Sequence, residues 1–223
     1  MGMRAQKTEV GAFLRDRDRT ALLEWAKSVR NPFRVLVSMT YDDNEFVRWR
    51  AIEAIGWVVA AYAEYDLDKV RDMLRRLLWQ MNDESGGLTW HSPELIGEIL
   101  VNVPTLIPEY ADLLPSYLVE EPFERGTHFA VYRAALVDPK PFRNIIPKLV
   151  KSLDDPDPTI RAYSALALGA IGAKSHRADI ERLLDDQSLV NYYDFACGEI
   201  VSKQVSELAQ GALDMVNTRE SAA

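Results

Sequence analysis

Cysteine is almost absent: Cys197 is the single one in 223 residues. No disulfide can close within the chain, and a reducing, cytoplasmic setting is expected. Histidine is nearly as scarce. His91, His128 and His176 are the whole supply, which leaves nucleophilic catalysis little to work with. Ser85 beside Gly86 and Gly87 is the closest approach to a nucleophile turn, yet no Gly-x-Ser-x-Gly pattern surrounds it. Neither a P-loop nor a dinucleotide-binding glycine pattern occurs. No uncharged run reaches the length of a membrane span, and Met1–Lys7 lacks the apolar stretch of a secretory signal.

What is present is material for a core, since 48% of the residues are hydrophobic. Net charge is −8, and it is unevenly spread. Residues 1–65 carry 10 Lys/Arg against 9 Asp/Glu, residues 66–138 carry 6 against 13, and residues 139–223 carry 10 against 12. An acidic centre repels phosphate backbones, so nucleic acid is not the expected partner.

The stretch Asp154-Asp155-Pro156-Asp157-Pro158-Thr159-Ile160-Arg161 leads into Ala162-Tyr163-Ser164-Ala165-Leu166-Ala167-Leu168-Gly169. It is an acidic turn followed by a helix that opens Ile-Arg and continues in small and aliphatic residues. The pattern returns upstream as Asp42-Asp43-Asn44-Glu45-Phe46-Val47-Arg48, leading into Ala51, Ala54 and Gly56. Taking Val47 as the reference position, its equivalents are Pro93, Thr127, Ile160 and Asp194, at intervals of 46, 34, 33 and 34. Such periods suit two-helix repeats, which run roughly 35–45 residues. Four positions further on stand Ala51, Gly97, Val131, Ser164 and Gly198, mostly small, as close helix packing requires. The excess length of the first interval falls on the polar loop Asn82–Trp90.

These residues resemble the second helix of a HEAT repeat, most closely the bacterial HEAT repeats grouped with phycobilisome lyases. The resemblance implies an all-α, right-handed α-solenoid of about five helical hairpins. Its expected layout is a cap over 1–30, repeats over 31–65, 66–104, 105–138, 139–174 and 175–216, and a frayed tail over 217–223. The fifth inner helix is expected from Val190, starting with Tyr192 and Tyr193. In this family the Arg at positions 48 and 161 bonds the aspartates of the turn before it or of the neighbouring repeat. HEAT-type hydroxylases hold iron through His-Glu dipeptides, and this chain has none.

Two candidate sites follow. Trp49, Arg50 and Glu53, with Glu98 and Tyr132, sit where HEAT proteins turn side chains toward the concave surface, and Trp90 closes the neighbouring loop. An exposed Trp beside an Arg and carboxylates suits a protein-binding hot spot. The loop Asn82, Asp83, Glu84 and Ser85 lies next to that face, and long polar loops in compact chains often carry function. The second candidate is a metal or cationic-ligand site from Asp83, Glu84, His91, Glu94 and Glu98, the last two sharing a helical face. A structural reading competes with it, because Glu94 suits the first turn of a helix and Glu98 could pair with Arg50 or Arg133. The favoured expectation is a non-enzymatic scaffold that binds a protein or peptide on the concave face. It needs no cofactor or membrane, and its oligomeric state is open. A metal- or ligand-dependent enzyme built on 83–98 is the alternative.

Overall fold

Short polar side chains start five of the helices. Asp18, Asn31, Asn44, Asp66 and Asp157 accept hydrogen bonds from the main-chain N–H of Ala21, Arg34, Phe46, Lys69 and Thr159. Each satisfies a donor that the first helical turn leaves open. The computed structural model describes residues 2–82 and 90–221. It opens on α1 (Met3–Asp16) and α2 (Arg19–Ser28), where the cap was expected. α3 (Pro32–Met39) and α4 (Glu45–Ala63) make the first repeat, α5 (Leu67–Met81) and α6 (Ser92–Asn102) the second.

In the next two repeats proline shortens the outer helix, because it lacks an N–H and crowds the preceding turn. α7 (Ile107–Tyr110) passes into a 3-10 run over Ala111–Val119 that contains Pro115. A 3-10 run over Lys140–Ile145 precedes α9 (Ile146–Ser152) with Pro147 in its first turn. The inner helices are α8 (Glu124–Val137) and α10 (Pro158–Ile171).

The inner helices pack side by side, and the small residues permit it. A Cβ on Gly97 of α6 would stand 2.7 Å from the Cα of Ala130 on α8. Ala51, Val131 and Ser164 are fully buried. Between the inner and outer helices runs a continuous apolar core.

The two arginines that repeat in sequence also repeat in geometry, with one difference from expectation. Arg48 Nη1 donates to the carbonyl oxygens of Asp42 and Asp43 at 2.9 and 3.2 Å. Arg161 Nη1 donates to those of Asp155 and Pro156 at 2.7 and 3.2 Å. The guanidinium therefore closes the turn through its main chain, not through its carboxylates. The turn carboxylates Asp42, Asp155 and Asp157 face main-chain N–H groups instead, at Asn44, Asp157 and Thr159. Arg161 also bonds an aspartate of the neighbouring repeat, as expected, through an ion pair to Asp186 at 2.7 Å.

The fifth repeat departs from expectation. After α11 (Arg177–Glu181) the chain forms a β-hairpin, β1 (Leu189–Asp194) and β2 (Glu199–Gln204). The strands are antiparallel, with Tyr193 opposite Ile200 and Asp194 opposite Glu199. No helix starts at Val190, and Asp194 is not a helix reference position. The reason is local. Val190, Tyr192 and Tyr193 on one side, and Ile200 and Val201 on the other, are β-formers. Between them the Asp194 side chain accepts from Ala196 N, and Gly198 takes φ +73°, a turn that favours glycine. The fifth inner helix is instead α12 (Val205–Ser221), which continues past 217. It packs on α10, where a Cβ on Gly169 would stand 2.7 Å from the Cα of Ala212. The hairpin is thus an insertion between the outer and inner helices of the last repeat.

His128 occupies the position of Arg48 and Arg161 in the third repeat, and it is fully buried in α8. Its Nδ1 lies 2.7 Å from the carbonyl oxygen of Glu124, and its Nε2 has no partner among the described residues. Burial pushes the imidazole pKa down, although the Glu124 carbonyl and the charges of Asp155 and Asp157 pull it back. The unfolded chain then takes up a proton that the folded chain refuses. Stability should be full above the unfolded value of about 6.5 and fall as pH drops below it. Urea unfolding between pH 7.5 and 5 should show this slope in the wild type and a flatter one in His128→Leu. Equal slopes would assign the pH dependence to other groups.

Candidate functional site

The hairpin lies across the concave face of the inner helices. Its Tyr193 ring stacks on Trp49 of α4, with centroids 5.6 Å apart and planes 6° apart. Tyr192, on the opposite face of the strand by the period of two, meets Tyr163 of α10 at 6.5 Å. Phe195 at the tip stacks on Phe129 of α8 at 6.0 Å, and the Arg133 guanidinium sits 3.9 Å from its ring centroid. Trp49 also meets Phe129 edge-on at 5.2 Å, and Phe129 meets Tyr163 at 5.5 Å. The hairpin is therefore wedged between α4, which meets Tyr193, and α10, which meets Tyr192, with α8 against Phe195 at the tip. Aromatic pairs of this kind contribute about 0.5–1.5 kcal/mol each beyond their buried area.

Two arginines clamp the tip to the opposite end of the chain. Arg50, 5% exposed, donates to the carbonyl oxygen of Gly198 at 2.8 Å and that of Leu14 at 3.0 Å, and reaches Glu199 at 3.1 Å. Arg17 donates to both oxygens of Glu53, at 2.5 and 3.1 Å, and to the carbonyl oxygens of Phe195 and Ala196 at 2.6 and 3.3 Å. The Tyr193 hydroxyl donates to Glu53 at 2.7 Å. Burial and the Glu53 charge push the Tyr193 pKa well up, so it stays a donor. Hydrogen bonding to Glu53 raises the pKa of Arg17. Arg17 holds φ +52° at the end of α1, a conformation costing about 1–2 kcal/mol outside glycine.

The sequence-derived candidates fall into three groups. Trp49, Arg50, Glu53, Glu98 and Tyr132 do converge on the concave face, but the hairpin covers them. Arg50, Glu53, Glu98 and Tyr132 are all buried, which corrects the expectation that they lie open to a partner. Trp90 is apart from them and 65% exposed. Asn82 caps the end of α5 and donates to the Leu78 carbonyl at 2.8 Å and the Tyr117 hydroxyl at 2.6 Å. Asp83, Glu84 and Ser85 lie outside the described residues. His91 Nδ1 is 3.3 Å from Glu94, while Glu98 forms a two-point ion pair with Arg133 of α8, its second bond at 3.2 Å. The pairing anticipated between Glu98 and Arg133 is present, and no group of three or more metal-ligating side chains occurs among the described residues. Burial holds the Glu98 carboxyl above the usual range, offset in part by the Arg133 charge. Sequence reasoning missed Arg17, Tyr193 and Phe195. The signal that pointed to them was the β-forming run on either side of Asp194 and Gly198.

Part of the concave face stays open beside the hairpin. A recess of about 380 Å³ lies where α4, α6, α8 and α10 begin, walled by Trp49, Phe129 and Tyr163. Arg48, Glu94 and Arg125 stand at its rim, and Leu189 of β1, 65% exposed, lines one side. Arg125 is paired with Asp157.

The fold is an armadillo/HEAT-like α-solenoid, mostly helical. The HEAT repeat family model matches residues 145–175, which spans the α9–α10 pair. An uncharacterized protein of Archaeoglobus fulgidus is 27% identical over 178 residues, covering 78% of this chain and 91% of that one. Among solved structures, a designed armadillo repeat protein aligns with TM-score 0.53 at 18% identity over 96% of this chain and 98% of its own. Another, in complex with the peptide (KR)4, aligns with TM-score 0.51 at 17% identity and the same coverage. No helix among the described residues is long and apolar enough to cross a membrane.

Two substitutions test the clamp and the strut. Arg17→Gly relieves the left-handed backbone but removes charge-assisted bonds worth about 1.5–3 kcal/mol. Amide exchange of 190–203 should quicken by about tenfold or more, while that of α10 stays unchanged; unaltered hairpin exchange would show that Arg17 does not hold it. Glu98→Gln leaves the Arg133 charge buried without its partner, and unfolding free energy should fall by about 3–5 kcal/mol. A loss near zero in denaturant titration would mean the pair is not a strut between α6 and α8.

Proposed function

We propose that this chain is a non-enzymatic interaction scaffold whose protein or peptide partner enters the recess beside the hairpin. One observation carries this reading: the recess is a part of the concave face that the described residues leave open. The half-buried Trp49, backed by the buried Phe129 and Tyr163, offers an anchor site for an apolar or aromatic side chain, and Arg48 and Glu94 at the rim offer partners for polar ones. Aromatic and arginine side chains dominate interface energetics when they are packed in pockets. The concave-face expectation is thereby narrowed. Arg50, Glu53, Glu98 and Tyr132 support the hairpin, and Trp49 alone of that set also lines the recess.

The designed armadillo protein seen with (KR)4 supports the general mode, in which such a solenoid receives an extended peptide. At that identity it lends the fold and not the ligand. The finer likeness to bacterial HEAT repeats grouped with phycobilisome lyases rests on the copies at Arg48 and Arg161. It carries an architecture, and the activity of that group does not come with it.

The test is a peptide-display selection against the whole chain, followed by hydrogen-exchange footprinting of the selected ligand. Protection should fall on residues 45–52, 125–129 and 189–191. Leu189→Glu, at an exposed position, should keep the melting temperature and weaken binding by about tenfold or more. A footprint elsewhere, or unchanged affinity in that variant, would refute the recess as the binding site.

A further inference from the structure

The outer helices carry a second feature. Between α3 and α5, the outer helices of the first two repeats, lies a cleft of about 320 Å³. Its floor is apolar, made by Phe33, Val37, Tyr62, Met73 and Leu77. Phe33 and Tyr62 pack together with ring centroids 4.9 Å apart. Burial pushes the Tyr62 pKa up to about 12, so its hydroxyl adds no negative charge near neutrality.

The rim is basic. Arg30, Arg34, Lys69 and Arg76 line the cleft, with Asp72 as the carboxylate among the lining residues. Asp72 is engaged by Arg75 at 2.7 Å, and Lys69 pairs with Asp66 at 2.9 Å. Arg30, Arg34 and Arg76 are exposed and make no ion pair or side-chain hydrogen bond among the described residues. Their neighbours on α5 behave differently. Arg71 is held by Glu109 at 2.7 Å and Asp68 at 2.9 Å, and Arg75 by Asp72. In a chain of net charge −8, carboxylates are plentiful, yet Arg30, Arg34 and Arg76 at this cleft have none among the described residues.

We propose that this cleft docks an acidic segment of a partner protein, with one apolar side chain in the cleft and flanking carboxylates on Arg30, Arg34 and Arg76. Guanidinium groups match carboxylates in a two-point geometry. The desolvated apolar floor supplies affinity, and the unpaired charges supply sign and register. A nucleic acid fits less well, because three arginines around one apolar cleft cannot follow a long phosphate backbone. The surface is separate from the recess, on the outer side of the array, so the two readings stand or fall independently.

The probe is a short fluorescent peptide with several glutamates around one central phenylalanine, titrated against the full chain by anisotropy. Micromolar binding that weakens with salt is expected, since exposed charges are screened. Arg34→Glu with Arg76→Glu should keep the melting temperature, because neither side chain has a partner to lose among the described residues, and should weaken binding by about tenfold or more. Replacing the phenylalanine with alanine, or the glutamates with glutamines, should weaken it as well. Leu189→Glu should leave it unchanged. Absence of binding, or equal binding by the double variant, would overturn the proposal. So would tighter binding of a single-stranded oligonucleotide at the same salt. Concentration-dependent self-association that the double variant abolishes would give the cleft to a second copy of this chain and likewise overturn it.

Discussion

A two-stranded hairpin in water buries too little to hold its own shape. The one spanning Leu189–Gln204 is ordered because the concave groove packs both of its faces at once, Tyr193 on Trp49 and Tyr192 on Tyr163. The dependence runs both ways. Arg50 and Glu53 are buried polar groups of α4, and the hairpin supplies the Gly198 carbonyl and the Tyr193 hydroxyl that help satisfy them. Without it, a buried cation and a buried carboxylate would lose partners, each a costly loss in a low-dielectric setting.

That contact alters the mechanics of the array. In an open solenoid each repeat rests only on its neighbours. Here Arg17, in the cap, bonds the carbonyl oxygens of Phe195 and Ala196 in the last repeat. The first and last units are thereby tied directly across the groove. The closure also divides the concave face. Its middle becomes interior, and the edge where four inner helices begin stays accessible. On the outer side, the basic-rimmed cleft between α3 and α5 is a surface of opposite character, with arginines that have no partner among the described residues.

Much of this architecture was legible in the residues. The turns before Arg48 and Arg161 repeat in sequence and again in hydrogen bonding, at the same offsets of six and five residues. Gly97 marked where two inner helices meet closely. The same periodicity misled at the end. A spacing of 34 and the small residue Gly198 at the position of Gly97 placed a helix where β-forming residues and a glycine turn make a hairpin. The residues facing the groove were also recognisable, yet whether they met solvent, a partner or the chain itself was not written in their spacing.

The sequence by itself determined the helices, their caps and their repeat. Those features rest on hydrogen bonds and apolar spacing within a few residues, or on packing between consecutive repeats. The tertiary structure alone decided what fills the groove. The bonds that seat the hairpin join residues 178 apart at Arg17 and Phe195, and 140 apart at Glu53 and Tyr193. Such pairs meet only because the curvature of the stacked repeats brings the cap round to the last unit, and no local pattern encodes that curvature.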